Sequence, residues 1–78
     1  MHELPLTAVE FSLAKVLMLK KGRVYTREEL LDIIWGQDFT GESRTVDVHI
    51  KNLRKKIRDA GGPPEIIRSV RGVGYTCE

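Results

Sequence analysis

The residue types that could do chemistry are gathered in one run near the middle of the chain. From Ser43 to Asp59 there are six cations, Arg44, Lys51, Arg54, Lys55, Lys56 and Arg58, and two carboxylates, Asp47 and Asp59. Val46, Ile50, Leu53 and Ile57 step by four, three and four, so a helix would bury them as one stripe. At about 100° per residue, the opposite side carries Arg44, Thr45, Val48, Lys51, Asn52 and Lys55. His49 and Lys56 fall on one flank; Asp47, Arg54 and Arg58 fall on the other. A merely solvated face mixes both signs of charge. This one holds three cations, an amide, a hydroxyl, a valine and no carboxylate. Lys and Arg can reach guanine O6 and N7 or a phosphate, Asn can bridge adenine N6 and N7, and Val can meet a thymine methyl. A polyanion-binding patch needs only the cations. Val48 beside Asn52 tips the face toward base reading.

A second basic point is Arg71, at the head of Arg71-Gly72-Val73-Gly74. A guanidinium on a glycine-flanked tip can extend into a minor groove. The two glycines do not make a dinucleotide loop, which needs a third glycine opening a helix where a strand is expected here. No other chemistry has its parts. His2 and His49 are the only histidines, and His49 has no ligand-type partner one helical turn on. The lone Cys77 excludes an internal disulfide framework and a cysteine zinc cage. No catalytic set, metal, cofactor or small-molecule substrate is expected. RNA is disfavoured because the basic face lacks an aromatic side chain for stacking.

The elements that must position these residues are legible in order. Thr7-Ala8-Val9-Glu10 is a capping box with Leu6 and Phe11 as its staple, and Phe11, Leu13, Ala14, Leu17 and Met18 recur at helical spacing. The first helix is read as Thr7–Lys21, with Gly22 at its left-handed end. A second capping box, Thr26-Arg27-Glu28-Glu29, has Tyr25 and Leu30 as its staple and opens a short helix closed by Gly36. Arg23–Thr26 is a tight turn, so the two helices form a helix-turn-helix. Gln37–Glu42 is a loop, and Ser43 is the expected N-cap of a third helix that ends near Ala60, before Gly61-Gly62-Pro63-Pro64. Ile66–Val70 and Tyr75–Cys77 are expected to pair as a hairpin, both glycines of the turn taking positive φ. Trp35 and Tyr75 are read as core residues. The expected class is therefore mainly α with a C-terminal β-hairpin: three helices plus a wing.

Length and composition agree with that frame. Seventy-eight residues, 41% hydrophobic and 31% charged, suit one modest domain spanning residues 1–78. No apolar run approaches the roughly 18 residues of a membrane span, and the opening Met1-His2-Glu3 is unlike a signal peptide. The reducing cytoplasm is the expected compartment. The net charge of +2 hides an asymmetry: residues 1–39 hold five Lys/Arg against six Asp/Glu, and residues 40–78 eight against five.

Five motifs occur in one order: Leu6-Thr7-x-x-Glu10-Phe11, Thr26-Arg27-Glu28-x-Leu30, Arg44-Thr45-Val46-Asp47-Val48-His49-Ile50, Leu53-Arg54-Lys55-Lys56 and Val70-Arg71-Gly72-x-Gly74-Tyr75. From about Leu4 to Tyr75 the chain resembles the DNA-binding effector domain of OmpR/PhoB-type bacterial response regulators, a winged helix-turn-helix. The resemblance implies sequence-specific binding of double-stranded DNA as the transcription-regulating output of a two-component phosphorelay. It implies contacts by Arg44, Thr45, Val48, His49, Lys51, Asn52, Arg54 and Lys55 on the recognition helix. Arg71 with Gly72 would serve at the wing, and Thr26-Arg27 would meet phosphate at a helix N-terminus. It also implies that Trp35, Gly36, Gln37, Asp38, Phe39, Thr40, Gly41 and Glu42 form a transactivation loop that meets RNA polymerase, and that a second copy binds beside the first on direct repeats. Two departures stand out. Of the family's opening antiparallel sheet only His2–Leu6 could remain, and the receiver domain is absent, so a fragment or a shortened member is expected. Asn52 also stands where some relatives place Arg, so the base read there should differ. The rival reading is a winged helix that docks an acidic protein on its basic face.

Overall fold

Both capping boxes close as the sequence directs. The computed structural model describes residues 5–36 and 41–77. Helix α1 spans Ala8–Leu19: the Thr7 amide donates to Glu10 Oε1 at 3.0 Å, and the Glu10 amide donates to Thr7 Oγ1 at 3.2 Å. Helix α2 spans Arg27–Trp35 and repeats the device at Thr26 and Glu29, with distances of 2.9 and 3.0 Å. Helix α1 ends two residues short of the expected Lys21. Gly22 is left-handed at φ +88, but in the turn, where its N–H donates to the Cys77 carbonyl at 2.8 Å. Gly36 ends α2 as expected, at φ +92.

Helix α3, Arg44–Asp59, buries Val46, Ile50 and Leu53 against Leu13 and Leu17 of α1 and Leu30 of α2. Ile57, the fourth of its stripe, is partly buried. Two expectations fail here. Ser43 sits at the start of α3 but is itself helical (φ −61, ψ −22), and its side chain makes no cap; the carbonyls of Glu42 and Ser43 take the first amides instead. Phe11 and Met18 leave the α1 stripe and are 60% and 51% exposed. They lie roughly a third of a turn round from the Glu10–Leu13–Leu17 line that faces α3.

After a 3₁₀ turn at Pro64–Ile66, strands β2 (Ile67–Val70) and β3 (Gly74–Cys77) form the hairpin, with Ile67 opposite Cys77 and Val70 opposite Gly74. For continuity in chain order, the strand preceding α2 is β1, Tyr25–Thr26. The sequence predicts only a turn there, yet the segment pairs antiparallel with β3, giving a sheet ordered β1-β3-β2. That third strand explains Gly74. A Cβ there would sit 1.9 Å from the Tyr25 carbonyl oxygen, so its role is close approach of two backbones. Only Gly72, at φ +78, supplies the positive φ of the turn. Tyr75 is buried, as expected; Trp35 is partly buried and packs on the core. Of His2–Leu6, residues 1–4 lie outside the described residues, as do Gln37, Asp38, Phe39 and Thr40 of the loop. Among the described residues no helix is long and apolar enough to cross a membrane.

Candidate nucleic-acid interface

The buried stripe of α3 fixes which way its opposite side points. Arg44, Val48, Lys51, Asn52 and Lys55 are all exposed, and Thr45 is half-buried at the edge. Val48 is 57% exposed on a helix whose other aliphatic residues face the core. Beyond the middle of the helix, Lys51, Asn52, Arg54, Lys55 and Arg58 line an open notch of about 300 Å³ with Pro64. The wing tip projects from the end of the sheet, and Arg71, Gly72 and Val73 are exposed there.

Three of the cations that looked alike in sequence are already engaged. Arg54 donates from Nε and Nη2 to the Ile67 carbonyl at 2.9 and 2.7 Å, and from Nη2 to Ser69 Oγ at 2.9 Å; its guanidinium also lies 5.6 Å from the Tyr75 ring centroid. This side chain staples the hairpin to α3. Lys56 reaches across to α1, where Nζ donates to Glu10 Oε1 at 2.5 Å and to the Pro5 carbonyl at 3.0 Å. Burial alone would raise the Glu10 carboxyl, but the Lys56 ammonium and the Thr7 amide outweigh it and hold the group below its ordinary value of 4.5. Arg27 donates from Nε to Asp47 Oδ1 at 2.8 Å, and the Tyr75 hydroxyl donates to the same oxygen. Burial, then the adjacent Asp47 carboxylate, push the Tyr75 phenol above its usual value.

The remaining positions are placed by packing. His49 is half-buried against Trp35, ring centroids 5.4 Å apart, so it braces the end of α2 on α3. The Thr26 hydroxyl oxygen accepts the Glu29 amide, and that amide-bearing turn also holds Glu29 to Arg23 at 3.0 Å. The backbone hydrogen bond from Thr26 leads the causes that keep the Glu29 carboxyl below its ordinary value. Of the loop, Gly41 and Glu42 are exposed, and Glu42 stands 3.9 Å from Arg44. Sequence reasoning missed Asp47, Tyr75 and Glu10 as organisers of the face. Glu10 was legible as a capping residue and Tyr75 as a core residue, but nothing in the spacing pointed to their partners on other elements.

Three helices and a hairpin wing with an outward basic face on α3 make a winged helix-turn-helix, the architecture of a DNA-binding domain. Residues 1–77 match the family described as transcriptional regulatory protein, C terminal, and the chain belongs to that family. Regulatory protein VanRB of Enterococcus faecalis is 50% identical over 76 residues, covering 97% of this chain and 32% of its own. The chain spans about a third of the length of the curated relatives it matches. Two solved structures share its fold at 33% identity. One is the response regulator AdeR DNA-binding domain in complex with an intercistronic region, with a TM-score of 0.85, covering 96% of this chain and 74% of that one. The other is the Klebsiella pneumoniae RstA DNA-binding domain in complex with the RstA box, with a TM-score of 0.78 and coverage of 95% and 73%.

Proposed function

We propose that residues 1–78 act as one winged-helix domain that binds double-stranded DNA with sequence preference, α3 in the major groove and the wing tip in the minor groove. The observation that carries this reading is the exposed face of α3, where Val48 and Asn52 stand among Arg44, Lys51 and Lys55. Cations alone would serve any polyanion; an amide and an apolar group at their centre serve base edges. The two neighbours solved on DNA support it.

Base contacts fall to Val48 and Asn52, and phosphate contacts to Arg44, Thr45, Lys51 and Lys55. Arg71, with Gly72 giving the turn its shape, enters the minor groove. Arg54 and His49 serve the interface from behind, by holding the wing and the end of α2. For the whole protein we infer the roles that the family resemblance implies: a cytoplasmic transcriptional regulator switched by a phosphorelay, binding direct repeats beside a second copy. In it, Trp35–Glu42 would meet RNA polymerase.

The test is a salt titration of binding to random and selected duplexes. With about four cations on the duplex, Arg44, Lys51, Lys55 and Arg71, log affinity should fall against log salt with a slope of about −3 to −4. A slope near zero, or equal affinity for every sequence at every salt concentration, would exclude sequence-reading DNA binding.

A further inference from the structure

Asp47 is a carboxylate in the first turn of α3, on the flank of an outward face that itself carries no carboxylate. The helix dipole favours an acid there, and an exposed ion pair stabilises a fold only slightly. Neither effect accounts for what this side chain holds. One oxygen accepts both Arg27 from the start of α2 and the hydroxyl of the buried Tyr75 from β3. Arg27 is half-exposed, and it sits where a helix N-terminus and a cation together would grip any phosphate, whatever the sequence.

We propose that Asp47 is a specificity-determining residue: it cancels and fixes Arg27, so that a sequence-blind phosphate contact is withheld. A larger share of the binding energy then depends on Val48 and Asn52. The inference rests on the DNA-binding reading above. Tyr75 is the anchor that keeps Asp47 turned toward Arg27 when a phosphate approaches, because its hydroxyl is fixed by a buried ring. The chain from Arg54 over the Tyr75 ring to Asp47 and Arg27 thereby links the wing, α3 and α2.

The test is a double-mutant cycle on a random 20-base-pair duplex, read by fluorescence anisotropy across 50–200 mM salt. Asp47→Asn keeps an oxygen for both donors and removes the charge. It should steepen the random-duplex slope by about 0.9, one added phosphate contact, which raises the affinity lost over that salt range about three- to fourfold further. The ratio of selected to random affinity should fall with it. Arg27→Gln should leave the slope nearly unchanged in the parent chain but flatten it by about 0.9 in the Asp47→Asn background. Equal effects of Arg27→Gln in both backgrounds would mean that only net charge matters, and would overturn the proposal. So would an Asp47→Asn slope equal to that of the parent. If Asp47→Asn does not fold by circular dichroism, Arg27→Gln alone decides: a parent slope flattened by a full contact shows Arg27 already on phosphate. A parent chain with no salt dependence fails the DNA reading itself, a separate result.

Discussion

At the residue scale, some groups on the face of α3 are assigned to bases and others to phosphate in the proposed reading. Val48→Ala and Asn52→Ala should flatten the preference among duplexes, each losing about 1–3 kcal/mol of discrimination at the base it contacts. Lys55→Ala should weaken all duplexes alike and reduce the salt slope by about one. Competition binding against a panel of single-base variants separates the two classes, and an Asn52→Ala variant with unaltered preferences would move base reading to another side chain. Which side of α3 faces outward was legible from spacing alone, because Val46, Ile50 and Leu53 can be buried together in only one helical orientation. Which cations were free was not legible. Lys56 meets Glu10, Arg54 meets Ile67 and Arg27 meets Asp47 across 46, 13 and 20 residues of sequence. A charge count along one helix cannot see partners supplied by other elements.

At the scale of elements, α1, α2 and α3 are joined by contacts that can be broken one at a time. Glu10 is buried, and its folded carboxyl lies below the ordinary 4.5. Its contribution to stability is therefore complete above that value and is lost as pH falls through the lower folded value. Glu10→Gln should cost about 1–3 kcal/mol at neutral pH, since Lys56 loses its anionic partner. The gap to the parent should narrow below pH 4.5 in urea unfolding; a gap constant from pH 7 to pH 3 would remove ionised Glu10 from the account. The two wing glycines give a second contrast. Gly72→Ala places a side chain at positive φ and should cost about 1 kcal/mol. Gly74→Ala drives a methyl into the Tyr25 backbone and should cost more, about 2–3 kcal/mol with β1 displaced, as seen in thermal unfolding and amide exchange. Capping boxes and apolar steps made the helices readable, whereas β1 escaped because two residues show no alternation. Its pairing depends on β3, which lies some fifty residues further on.

At the scale of the whole molecule, the tandem binding proposed above would be governed by the same face. The buried residues form one cluster, from Leu13 and Leu17 through Leu30 and Leu53 to Ile67 and Cys77. In the tandem reading the copies meet only on DNA, so each should arrive separately. Each loses its translational freedom on its own, and single-site affinity should be well below that of a linked pair. Two copies on direct repeats present their recognition helices to the same side of the duplex only when the repeats lie about one turn, 10–10.5 base pairs, apart. At five added base pairs the second copy is carried to the far side, and any contact between neighbours is lost. Footprinting with the spacing varied one base pair at a time should therefore show joint occupancy peaking at one turn and collapsing at half a turn more. Sedimentation of the free chain should show a monomer at the same concentrations. Equal occupancy at every spacing would mean that the copies bind without touching, and tight binding only to an inverted repeat would require a two-fold interface in place of the tandem one.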